Sequence, residues 1–159
     1  MNVELVRPFE ISVPDITMCA ELVSSGGAVT LASASRGLKR AETIGLIRFD
    51  KRIVAVGALK NSDVDYKNSV FKKSKTLAKP NGFKFEVGYF ATDAKFQGRK
   101  LAKDILGTFV AEFKDAPMFA TTGSEAMEHL LLSQGFTRSG FQYKSGLGNA
   151  NLSLLLRIK

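Results

Sequence analysis

The residues with the most legible chemistry lie between positions 85 and 102. Phe85-Glu86-Val87-Gly88-Tyr89-Phe90-Ala91-Thr92 is followed by a turn and then by Gln97-Gly98-Arg99-Lys100-Leu101-Ala102. The first eight read as an apolar strand, and the last six open the best amphipathic helix in the chain. A glycine at a helix mouth lets backbone N–H groups approach an anion closely. The unpaired amides and dipole of the first turn then favour a pyrophosphate there. Arg99 and Lys100 add positive charge. An ordinary strand-to-helix connection with an exposed basic first turn would carry the same residues. Glu86 on that strand reads by itself as a solvent-facing residue or one paired with a lysine.

The elements that must position these residues can be read along the chain. Residues 2–6 suit a short strand. Ser12-Val13-Pro14-Asp15 opens a helix that runs to the Gly26-Gly27 stop, with Ile16, Cys19 and Leu22 or Val23 on one face. A weaker helix fits residues 30–43, with Gly37 inside it. Residues 44–50 and 52–60 form a hairpin of β-branched, apolar runs. Residues 83–92 are a long strand in which Gly88 suggests a bulge or a close backbone approach. The helix over 97–114 carries Leu101, Ile105, Leu106, Phe109, Val110 and Phe113 on a single stripe. A short strand at 116–122 leads through the capping-box spacing of Thr122-Gly123-Ser124-Glu125 into a helix that stops at Gly135. Strands at 137–144 and 151–159 close the chain, paired through a 145–150 loop. The fold class is mixed α/β, a sheet covered by helices.

Within this order the segment 86–136 resembles the GNAT superfamily of N-acetyltransferases. Its cofactor motif, Gln/Arg-x-x-Gly-x-Gly/Ala, is matched at Gln97 and Ala102, and Lys100 replaces the central glycine. Glu86 stands where the family often has a glutamate on its fourth strand. Ser124 with Gln134-Gly135-Phe136 resembles the family's Asn…x-Gly-Phe helix ending, with serine for asparagine. The resemblance implies a mostly antiparallel sheet that splays at its fourth and fifth strands to admit acetyl-CoA as co-substrate. Backbone groups of Phe90, Ala91 and Thr92 would then meet the pantetheine arm, and the amides from Gly98 through Arg99, Lys100 and Leu101 to Ala102 the pyrophosphate. Glu86 would be the general base for an amine acceptor, directly or through a water. The position that usually holds the tyrosine acid is Leu131, so Tyr89 and Tyr143 are substitutes by type. A thiolate can also leave unassisted, its pKa being far below that of an alcohol.

Composition bounds what remains. A chain of 159 residues is about one domain, here residues 1–159, and is long enough to bury a sizeable core. One cysteine, Cys19, suits a reducing compartment, and with His129 the lone histidine no zinc cluster is expected. No apolar run reaches the roughly 20 residues of a membrane span, and no signal peptide is visible, so a cytoplasmic protein is expected. The net charge of +8 favours anionic ligands. Between Tyr66 and Lys84 stand six lysines and no acid, a density that predicts a mobile surface loop. That loop could be merely solvated, clamp a phosphate or acidic substrate, or touch nucleic acid through Tyr66, Phe71 and Phe83. The expected protein is an N-acetyltransferase, monomer or homodimer, without membrane contact. A catalytically idle acyl-CoA-binding module and a basic nucleic-acid interaction module are the alternatives.

Overall fold

The computed structural model describes residues 1–146 and 150–158. Seven strands and five helices follow one another as β1 (Val3–Val6), α1 (Val13–Ser25), α2 (Leu31–Lys39), β2 (Thr43–Phe49), β3 (Arg52–Lys60), α3 (Val64–Ser74), β4 (Phe85–Thr92), α4 (Leu101–Glu112), β5 (Met118–Thr122), α5 (Glu125–Ser133), β6 (Thr137–Lys144) and β7 (Asn151–Arg157). The sheet order is β1-β2-β3-β4-β5-β7-β6. β1–β2, β2–β3, β5–β7 and β6–β7 are antiparallel, and β4 runs parallel to β5. This is the mixed, mostly antiparallel α/β architecture expected. The β4–β5 ladder holds two residue pairs, Phe85↔Met118 and Glu86↔Phe119, both at the start of β4.

The chain forms two compact units, Met1–Asn61 with Val87–Glu112, and Ser62–Glu86 with Phe113–Lys159. In the first, β2 and β3 are apolar on both faces because helices cover both. Ile44, Leu46, Val56 and Ala58 pack with Ile16, Cys19 and Leu38 of α1 and α2. The paired glycines Gly45 and Gly57 leave the other face flat for α4: a Cβ on Gly45 would stand 2.8 Å from Ile105 Cγ2. Ser12 caps α1 by accepting from the Asp15 N–H at 3.2 Å. Arg48 on β2 ties Asp15 and Glu4 together at 2.8 and 2.9 Å. Its guanidinium holds the Asp15 carboxyl below the ordinary range. Burial pushes the Cys19 thiol up to about 12, which makes it an inert core group.

In the second unit α3 lies over one face of β5, β7 and β6. Val70, Phe71 and Phe83 pack on Phe119, Leu154 and Leu156. The expectation of a mobile loop over 61–84 is therefore corrected: the segment contains an eleven-residue helix and a 3-10 turn at Pro80–Gly82. Like charge did not prevent packing because the lysines Lys72 and Lys73 point outward, while Val70, Phe71 and Ser74 are buried. Three smaller corrections follow from local chemistry. The second helix ends at Lys39, since residues from Thr43 onward join β2. The cap of α5 is Ser124, which accepts from Met127 N–H at 3.2 Å, while Thr122 Oγ1 accepts from Ser124 N–H. In β4 the left-handed residue is Tyr89 (φ 57°), and Gly88 instead makes room for the Lys60 side chain. Ser145 N–H donates to the Ala150 carbonyl at 3.0 Å, which closes the β6–β7 connection; residues 147–149 and Lys159 lie outside the described residues.

Candidate active site: a buried carboxylate under a lysine-rich helix

Glu86 is 2% exposed, although it carries a carboxylate. Its pairing with Phe119 turns it toward the face that α3 covers. A charge in such a place needs hydrogen bonds to offset its lost hydration. Ser62 Oγ donates to Oε1 at 2.6 Å, and the Tyr66 hydroxyl donates to Oε2 at 3.0 Å. Both donors come from the start of α3. Asp63 sets that start by accepting from the N–H groups of Asp65 and Tyr66 at 2.9 and 3.1 Å. The cap fixes the first turn, and the first turn delivers Tyr66 to the carboxylate.

Tyr66 is 42% exposed as a residue, yet its hydroxyl end is buried. Burial first, and then the Glu86 charge, pushes its phenol well above the ordinary range, so it stays a donor at any working pH. The same causes push Tyr143, on β6, up to about 12. Thr121 stands near enough to oppose that rise but outside hydrogen-bonding geometry. The buried Tyr143 hydroxyl thus has no hydrogen-bond partner among the described residues. Three hydroxyls thereby belong to the surroundings of one carboxylate. Such a group can accept a proton at Glu86 and hold a donor ready at Tyr143.

Sequence reading reaches Glu86, and Tyr143 by type, but misses Ser62 and assigns Tyr66 a different use. The signal for both was local: Ser62-Asp63-Val64-Asp65-Tyr66 is a helix cap with an acid in the first turn.

The other expected residues are placed as follows. Tyr89 has its ring 4.3 Å below the Lys60 ammonium, and its hydroxyl fills the notch at Gly37 of α2. The Phe90 ring packs on Phe109 and over Gly57. Ala91 and Thr92 end β4 half-buried. Gln97, Gly98, Arg99 and Lys100 are exposed, and Leu101 is buried as the first residue of α4. Ala102, the second, is half-buried. Gly98 (φ 82°) and Lys100 (φ 61°) are both left-handed. Lys100 therefore adopts the conformation that a glycine would supply, and its carbonyl accepts the first helical bond, from Asp104 N–H at 3.0 Å. Arg99 stacks its guanidinium 4.9 Å over Phe96. Ser124 lines a polar cavity of about 270 Å³ with Glu128, His129, Arg138 and Ser153. Leu131 is buried and offers no proton. No helix among the described residues is long and apolar enough to cross a membrane.

Neither a family model nor a curated protein matches the sequence. Solved structures do. Escherichia coli ElaA is similar with a TM-score of 0.71 at 13% identity, covering 99% of each chain. A GNAT-family acetyltransferase from Streptococcus agalactiae matches with a TM-score of 0.69 at 14% identity, over 99% of this chain and 95% of that one. FeeM, an N-acyl amino acid synthase from uncultured soil microbes, reaches 0.71 at 15%, over 98% of this chain and 89% of its own. Strand order, the parallel β4–β5 pair and these whole-chain likenesses agree: the chain has the GNAT acetyltransferase fold.

Proposed function

We propose that residues 1–159 form one N-acyltransferase domain that moves an acyl group, acetyl in the simplest case, from acyl-CoA to a primary amine. The observation that carries this reading is the buried Glu86 carboxylate held by Ser62 and Tyr66. An ammonium has no lone pair, so a base must take its proton before attack. Glu86 takes it, directly or through a water, when one of its two hydroxyl partners gives way. The free amine then attacks the thioester carbonyl, and a backbone N–H near Phe90, Ala91 or Thr92 stabilises the charge that develops on oxygen. The C–S bond breaks and the CoA thiolate collects a proton, from Tyr143 or from Tyr89. The products are an amide, free CoA thiol and one net proton.

The first turn of α4 and the loop before it supply the phosphate site. Exposed backbone at Gln97, Gly98, Arg99 and Lys100, with two left-handed residues and two basic side chains, fits a pyrophosphate. Amides of Leu101 and Ala102 complete it. The likeness to an N-acyl amino acid synthase keeps acyl groups other than acetyl, and amino-acid acceptors, within the substrate class.

The test is release of CoA thiol with a panel of amines. Glu86→Gln should lower turnover at neutral pH by about 10²–10⁴-fold with acyl-CoA affinity unchanged. Equal turnover of the variant across pH 6–9 would remove Glu86 as the base.

A further inference from the structure

The lysine-rich segment that turns out to be helical leaves an unusual surface at its far end. Leu77 is 97% exposed, and Phe141 is 71% exposed. Neither exposure comes from a loose chain. Thr76 Oγ1 accepts from the Ala78 N–H at 3.2 Å and shares a hydrogen bond with the Ser139 hydroxyl, so a built turn holds Leu77 outward. Next to Ser139, Gly140 (φ 71°) lies so close to residues 74–76 that a Cβ there would stand 2.2 Å from the Ser74 carbonyl oxygen. Leu77 and Phe141 each follow these touching residues by one position, which puts their Cα atoms within about 12 Å of each other. Lys72, Lys73, Lys75 and Lys79 are exposed on the same segment, and no acid lies between Tyr66 and Lys84.

We infer that this face, the C-terminal end of α3 with the turn at Leu77 and the bulge at Phe141, docks on an anionic lipid bilayer. Charge and side-chain type select that occupant. Exposed lysines on the segment that carries Leu77, with Phe141 as a second exposed apolar anchor, match a negatively charged interface that accepts both a headgroup contact and a shallow insertion. A protein partner would favour arginine and aromatic residues, with lysine depleted at the interface core. A nucleic acid would use the charge and could stack on Phe141, but has no place for an aliphatic Leu77, which lacks a π-face. The helix C-terminus accounts for a lysine or two in its last turn through the dipole. It does not account for Lys79 or for a leucine held in water.

Co-sedimentation of the full chain with vesicles tests this without acyl-CoA or turnover, so its result is independent of the proposed function. Vesicles with about one third phosphatidylserine should bind the protein, and pure phosphatidylcholine should not. Affinity should fall about fivefold per lysine replaced in a Lys72, Lys73, Lys75 and Lys79→Gln series. Leu77→Ser should weaken it about tenfold or more with the melting temperature unchanged, since the side chain packs on nothing. Absence of binding, or equal binding to neutral vesicles, would overturn the inference. Tight binding of single-stranded RNA that Leu77→Ser leaves intact, with vesicles ignored, would overturn it in favour of a nucleic-acid surface.

Discussion

Two tyrosines are the proposed donors of one proton to the leaving thiolate, and their surroundings differ in kind. Tyr143 has a buried hydroxyl without a partner among the described residues and a pKa pushed up to about 12 by burial and by the Glu86 charge. It therefore stays protonated across any practical assay range, and its removal should change rate without adding an alkaline limb below about pH 11. Tyr89 is engaged with Gly37 and Lys60. Tyr143→Phe is expected to lower turnover by about 10²-fold, the low end for general acid catalysis because a thiolate is a good leaving group, with KM for acyl-CoA retained. A loss seen only in Tyr89→Phe would move the role to Tyr89. Lys100 poses a different question at the same scale. A non-glycine residue at φ 61° costs about 1 kcal/mol or more. Lys100→Gly should stabilise the fold by about 0.5–1 kcal/mol once the looser unfolded chain is counted. Lys100→Ala keeps the strain and serves as the control; a Lys100→Gly variant that melts below Lys100→Ala would show that the turn stores none, since the looser unfolded chain of glycine would then act alone.

At the scale of elements, legibility followed periodicity and failed where charge hid it. β2, β3 and α4 announce themselves because burial on one or both faces leaves a run or a stripe of apolar residues. α3 obeys the same rule, with Val70, Phe71 and Ser74 buried on one side, but six lysines between Tyr66 and Lys84 dominate the reading. What charge alone cannot convey is that lysines on the outer face of a helix repel no more than those on a loop. The partners of Glu86 are missed for this reason, although their cap is written in the sequence: a helix must be recognised before its first turn can be seen to aim Tyr66. The cap that creates this turn is Asp63. Asp63→Ala should cost about 1 kcal/mol of stability. Its effect on turnover should exceed that of an equally destabilising change elsewhere, because Tyr66 and Ser62 would lose their aim at Glu86. Turnover that tracks stability alone, compared with Ile16→Val in the core of α1 as a packing control of similar cost, would sever the link between the cap and the site.

At the scale of the molecule, the excess of eight positive charges and the exposed basic turn before α4 both favour a polyanionic ligand, and one measurement joins them. A ligand that binds only the folded chain stabilises it by about 2.7 kcal/mol at a hundredfold excess over its Kd. For a chain of this size that is a rise of roughly 5–10 °C in melting temperature. Acetyl-CoA should produce such a rise and acetate alone should not, because acetate lacks the pyrophosphate proposed to sit on the Gly98–Lys100 backbone. General attraction of anions to a basic protein would act differently. It would be shared by inorganic pyrophosphate at equal charge and would vanish at about 1 M salt, where the Debye length falls to about 3 Å. A shift that survives high salt and needs the whole cofactor would establish a built site. Its loss in Gly98→Pro, which deletes one N–H and forces φ from 82° to about −65°, would place that site at the mouth of α4. An unaltered shift in this variant would place the phosphates elsewhere and leave the left-handed pair Gly98 and Lys100 without a ligand to explain it.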